Sequence, residues 1–113
     1  MTTDFMLDNS IKDDQTTGRL HAASKLLKSF ANETRLMILT VLIEGERSVG
    51  DIETHLKLRQ PTVSQQLARL RADHLVKTRW EGKVIYYSLA DSQAVEVLQL
   101  LKKLFGHHIS SER

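Results

Sequence analysis

The chain is 113 residues long, enough for about one domain. Hydrophobic residues at 41% and charged residues at 27% are the proportions of a globular chain, and no apolar run nears the roughly 18 residues of a membrane span. With no cysteine there is no disulfide framework and no thiolate chemistry, and with no signal-peptide core at the start the expected location is the cytoplasm, with no membrane partner.

The net charge is only +2, but it is unevenly spread. Residues 57–83 hold seven bases (Lys57, Arg59, Arg69, Arg71, Lys77, Arg79 and Lys83) against Asp73 and Glu81, a net +5. Residues 1–16 hold Asp4, Asp8, Asp13 and Asp14 against Lys12. A local positive field is the electrostatic footprint of a nucleic-acid binder, although a solvated face can look the same.

Taken in order, residues 1–16 lack sustained periodicity and read as a flexible acidic arm. A helix is expected over 17–31, with Leu20, Ala23, Leu27 and Phe30 along one side. Asn32 is placed to cap a second helix over 33–43, whose first turn carries Glu33 where the helix dipole favours an acid. That helix is apolar almost all round, so it is expected to be the central buried one, with Arg35 snorkelling or paired to a carboxylate. Ser48-Val49-Gly50-Asp51 has the form of a capping box, opening a short helix with Val49, Ile52 and Leu56 inward.

A brief connection leads into Gln60-Pro61-Thr62-Val63-Ser64-Gln65-Gln66-Leu67-Ala68-Arg69-Leu70-Arg71. Val63, Leu67 and Leu70 stand at i, i+4 and i+7 and make one apolar stripe. The opposite side presents Pro61, Gln65, Ala68 and Ala72, flanked by Thr62, Ser64 and Arg69. Pro61 suits a first helical turn, but Arg59 and Gln60 are both poor caps. A polar face of small residues can lie in a DNA major groove, where Gln pairs with adenine, Ser and Thr with any base edge, and Arg with guanine or phosphate. A solvated amphipathic helix has the same pattern, so the neighbouring segments decide. Two helices joined by a short turn, the second with such a face, form a helix-turn-helix. The base-reading candidates are Gln60, Thr62, Ser64 and Gln65.

After Asp73 and His74 the apolar period changes from 3.6 to 2. Residues 76–80 and 84–89 read as a two-stranded hairpin around Glu81-Gly82-Lys83. A lone hairpin is marginal in water, so Val76, Trp80, Ile85, Tyr87 and Leu89 are expected to pack on the helices. A basic hairpin after a helix-turn-helix is a wing that touches phosphate or minor groove. Arg69, Arg71, Lys77, Arg79 and Lys83 are therefore expected to hold the DNA backbone. Asp91 or Ser92 caps a last helix running to about Phe105, whose apolar arc is too wide for so small a core. Val97, Leu98, Leu101, Leu104 and Phe105, with Leu20 and Leu27 of the first helix, are expected to form the interface of a homodimer. His74 is placed to cap carbonyls where the reading helix ends.

The order of Ala31-Asn32-Glu33-Thr34-Arg35-Leu36-Met37-Ile38-Leu39, Ser48-Val49-Gly50-Asp51-Ile52, the Pro61 helix and Tyr86-Tyr87-Ser88-Leu89 resembles the ArsR/SmtB family of bacterial winged-helix repressors over about residues 20–106. Within it the chain is most similar to the branch of BigR, HlyU and NolR, but without that branch's cysteines. The fold class expected is mainly α with a small β-hairpin, a winged helix-turn-helix over 17–108 followed by a short disordered tail at 109–113, and the resemblance implies a homodimer formed by its first and last helices. It also implies binding to an imperfect inverted repeat in double-stranded DNA and repression of nearby genes.

Family members commonly sense metals or oxidising sulfur. The corresponding thiolate positions here are Ser48 and Gly50 for one metal site and Thr40 and Gly106 for the sulfur pair. A second metal site would use Asp91, Gln93, Leu104 and His107, of which Gln93 and Leu104 are not ordinary ligands. No metal site and no cofactor are therefore expected, and no catalytic constellation is present. The competing readings are a winged-helix protein–protein adaptor and a metal-responsive repressor using His107 and His108.

Overall fold

The computed structural model describes residues 14–106; most of the expected acidic arm, the pair His107 and His108, and the expected tail lie outside them. Along the described chain come α1 (Asp14–Phe30), α2 (Glu33–Ile43), β1 (Arg47–Ser48), α3 (Val49–Leu56), α4 (Gln60–Ala72), β2 (Val76–Glu81), β3 (Val84–Leu89) and α5 (Ser92–Phe105).

Helix α2 is central, as its all-round apolar sequence requires: Ile38, Leu39, Thr40, Val41 and Leu42 are all buried. Against it lie Phe30 of α1, Ile52 of α3, Val63, Leu67 and Leu70 of α4, and Ala94 and Leu98 of α5. The stripe read from spacing in α4 is the stripe that packs, each residue at 0% exposure. Burying each such Leu or Val fully is worth roughly 1.5–3 kcal/mol. Thr40, the buried polar residue of α2, donates its hydroxyl back to the carbonyls of Leu36 and Met37 at 3.0 and 2.9 Å. That satisfies the group without a tertiary partner.

The helix starts follow local chemistry. Asn32 accepts from the Arg35 N–H at 3.0 Å, and Asp91 accepts from Gln93 and Ala94 at the start of α5. Ser48 and Asp51 form a reciprocal capping box at α3. Arg59 precedes α4 with no side-chain cap bond, as its poor capping chemistry leads one to expect.

Several expectations are corrected. Helix α1 begins three residues before the expected start, within the segment read as an arm. Its apolar C-terminal end, Leu26 and Phe30, anchors it, and earlier turns need only backbone hydrogen bonds to continue. The hairpin is part of a three-stranded antiparallel sheet of order β1-β3-β2, with Arg47 opposite Tyr87 and Ser48 opposite Tyr86. A two-residue strand has no periodicity to betray it. The turn between β2 and β3 is two residues, with Gly82 at φ +63 and Lys83 not left-handed, the pattern of a type II′ turn.

Leu98, assigned to the dimer interface, is at 0% exposure inside the core. Ala94, Leu98 and Leu101 share one side of α5, and α2 and β3 already cover it. Trp80, expected to pack inward, is 66% exposed. Among the described residues Arg35 pairs with no carboxylate: it donates to the carbonyls of Ser29 and Lys28 and to the Gln66 side chain. His74 closes α4 with its backbone, in the left-handed region at φ 62 and donating its N–H to the Arg71 carbonyl at 3.0 Å, while its side chain is exposed.

Candidate nucleic-acid interface

Helices α3 and α4 are joined by Lys57-Leu58-Arg59, with Lys57 turning the chain in the left-handed region at φ 57 and Leu58 tucked against the core. This places α4 across the body with its stripe inward and its opposite face open. Gln60, Pro61, Gln65, Ala68, Arg69, Arg71 and Ala72 are exposed, and Thr62 and Ser64 are half-exposed beside them. Of the four residues expected to read bases, Gln65 stands opposite the buried stripe, with Thr62 on one flank of the helix and Gln60 and Ser64 on the other. Gln60 donates to the Ser64 hydroxyl at 3.3 Å, one turn apart, so these two are linked rather than independent. No acid lies in the first turn of α4.

The inner flank of α4 is tied to the end of α1 at two points. Arg35 donates Nη1 to Gln66 Oε1 at 3.2 Å while its other nitrogens hold the Ser29 and Lys28 carbonyls. The buried Ser29 donates its hydroxyl to Asp73 Oδ2 at 2.7 Å, just beyond the end of α4. Asp73 also faces Arg69 at 3.5 Å, so Arg69 is partly compensated from within the protein. Neither clamp was legible in the sequence, because each joins residues more than thirty positions apart.

On the wing the expected phosphate-holding bases divide. Lys77 and Lys83 are exposed and make no ion pair among the described residues. Arg79 is different: its Nε donates to both Glu46 oxygens at 3.0 and 2.9 Å, its Nη2 reaches Glu46 and Glu81, and its guanidinium lies 4.9 Å from the Tyr86 ring centre. The hydrogen bonds from Arg79 hold the Glu46 carboxyl below its ordinary pKa of 4.5, and the same bonds push Arg79 further up. Glu46 arrives from the turn before β1, an element invisible in the sequence pattern. The Arg79 charge is thus balanced by two carboxylates, and its visible work is to fasten the wing to that turn.

The positions matching the family's sensing residues have structural occupations here. Ser48 caps α3, Thr40 is sealed in the core, and Gly106 follows α5 at φ +77. Among the described residues no three His, Cys, Asp or Glu side chains lie close enough to hold a metal ion.

Helices α1 and α5 expose Leu20 (42%), Leu27 (59%), Leu100 (52%), Leu104 (65%) and Phe105 (64%). Of the expected interface residues, Val97 and Leu101 partly pack on the core, whereas Leu20, Leu27, Leu104 and Phe105 are open. Leu100 was not among them, although its apolar character widened the arc.

A helix-turn-helix whose second helix presents an open polar face, followed by a basic β-hairpin, defines a winged helix-turn-helix DNA-binding regulator. Residues 32–78 match the family described as "Bacterial regulatory protein, arsR family". The chain is 44% identical over 80 residues to the transcriptional activator HlyU of Vibrio cholerae, covering 71% of this chain and 74% of that one. It is 46% identical over 80 residues to the biofilm growth-associated repressor of Agrobacterium fabrum, covering 71% and 68%. The structure of reduced HlyU from Vibrio cholerae superposes with a TM-score of 0.77 at 39% identity, covering 82% of this chain and 98% of that one. The homodimeric winged helix-turn-helix domain Mb0332 of Mycobacterium bovis matches with a TM-score of 0.73 at 31% identity, covering 85% and 89%. The chain belongs to the arsR family of bacterial transcriptional regulators. No helix among the described residues is long and apolar enough to cross a membrane.

Proposed function

We propose that the chain is a homodimeric repressor that binds an imperfect inverted repeat, with α4 in the major groove and the wing on phosphate and minor groove. The observation that carries this is the open side of α4, Gln65 flanked by Thr62 and by Gln60 and Ser64, with no acid in the first turn and with Lys77 and Lys83 in no ion pair among the described residues. Such groups are matched to base edges and phosphates rather than to another protein's apolar surface. Arg69 and Arg71 sit at the other end of α4, where they reach the flanking backbone.

Dimerisation is supported by the exposed leucines of α1 and α5, an apolar surface with no partner inside the described chain. Mb0332, a similar protein, is homodimeric. A two-fold dimer of helix-turn-helix units contacts half-sites about one DNA turn, roughly 34–36 Å, apart. Occupancy of a promoter is enough to repress, and nothing more is needed for that role than the reading head and a dimer surface. Such a protein works where the chromosome is, in the cytoplasm, and no catalytic role is assigned to it.

The test is nuclease footprinting with purified protein on the DNA upstream of its own coding region, followed by transcription from that promoter. A protected, roughly symmetric site and lowered transcription are expected. Raised transcription would make the chain an activator, and binding that ignores sequence at all salt concentrations would remove the base-reading role of α4.

A further inference from the structure

The sheet face that carries the wing's core residues runs off the body before it reaches the turn. Val76, Thr78 and Trp80 lie on that face of β2, and their exposure rises from 3% at Val76 through half-exposed Thr78 to 66% at Trp80. Opposite them on β3 stand Leu89, Tyr87 and Ile85. Trp80 is the chain's one tryptophan, and no hydrogen bond or ring contact engages its side chain among the described residues. A large aromatic residue near the tip of a basic hairpin, three residues from Lys77 and from Lys83, leaves most of its surface uncovered by the described residues.

We infer that Trp80 is a DNA contact, its indole laid against deoxyribose and the minor-groove wall beside the wing, with Nε1–H free to donate to an acceptor there. This rests on the DNA-binding reading of α4 and adds to it an uncharged contact. The chemistry favours DNA over a second protein surface for two reasons. The flanking lysines draw phosphates to this tip and would repel a second copy of the same basic wing. The apolar surface suited to a second copy lies on other elements, α1 and α5. Minor-groove partners of apolar side chains are sugars and the exposed edges of base steps, and an indole offers them both area and a donor. Trp80 therefore contributes affinity that salt does not screen, whereas Lys83 contributes affinity that it does.

The single tryptophan makes the test direct. The full chain is titrated with a duplex recovered by repeated rounds of selection from random DNA, following indole emission and its quenching by neutral acrylamide. The expected result is red-edge emission and ready quenching in the free protein, then a blue shift and a several-fold fall in quenching on binding. W80A, checked for folding by circular dichroism, should bind about tenfold more weakly with an unchanged slope of log affinity against log salt, and W80F should recover part of the loss. Unchanged emission and quenching in a complex that demonstrably forms would overturn the Trp80 contact alone. An indole already shielded in the free protein would do the same, pointing to another segment or a second copy as its cover. If the wild-type chain enriches no duplex, the DNA-binding reading fails and the Trp80 contact with it.

Discussion

The open side of α4 and the open side of α1 and α5 both meet solvent, but they differ in what they show it. The first presents Gln60, Gln65 and Arg71; the second presents Leu27, Leu104 and Phe105. Polar side chains on the first are solvated when free and exchange water for base edges or phosphates when bound. Leucines on the second have only an apolar partner to gain. Exposure alone therefore does not mark function; the chemistry exposed decides which partner completes each surface. The same contrast runs within α5, where Leu98 is sealed in the core and Leu104, six residues later, is open.

The largest expected effect separates those two leucines. Leu98→Ala leaves a cavity in the core and should cost roughly 2–5 kcal/mol of unfolding free energy, independent of protein concentration beyond its effect on the dimer. Leu104→Arg should leave the monomer folded but abolish self-association in sedimentation. A variant at Leu104 that unfolds the chain, beside a harmless one at Leu98, would reverse the division between core and interface.

Next come the two kinds of contact on the reading surface. Gln65→Ala should cost about 1–3 kcal/mol and relax preference at particular base pairs. Lys83→Ala should weaken all sequences alike and lower the salt slope by about one unit. Binding titrations over salt and mutated sites distinguish them; the opposite pattern would mean that α4 presents another side to the groove.

A smaller effect concerns switching. The chain has no cysteine, and no three His, Cys, Asp or Glu side chains cluster among the described residues, so peroxide, polysulfide, Zn²⁺ and chelators should each change DNA affinity by less than about threefold, roughly 0.7 kcal/mol. Gel shifts with and without each agent measure this, and a tenfold loss with Zn²⁺ would point to His107 and His108.

The smallest effect lies on the wing. Because the folded protein holds Glu46 below its ordinary pKa, the clamp to Arg79 is complete above that value and is lost as pH falls through the lowered one. At neutral pH the wild-type protein should melt slightly above Glu46→Gln, and the two midpoints should converge as pH drops below about 4.5. The pair is exposed, so the difference is small. Equal melting of the two proteins at neutral pH would leave the clamp without a role in stability.

What the sequence determined by itself is what chemistry decides within a turn or two of helix. Asn32, Ser48 with Asp51, and Asp91 cap their helices through bonds spanning two or three residues, and Val63, Leu67 and Leu70 declare their shared face by spacing. The open polar face of α4 was legible for the same reason, as the complement of that stripe. Tertiary structure alone decided where each face runs out of protein to cover it. Trp80 and Phe105 have inward periodicity yet are exposed, because β2 and α5 extend past the body; Leu98 is covered because α2 and β3 reach it. It also decided which distant groups meet: Arg35 with Gln66, Ser29 with Asp73, and Arg79 with Glu46, whose partners are 31, 44 and 33 positions apart. Periodicity records the direction in which a side chain points, whereas burial and pairing depend on what the rest of the chain brings to meet it.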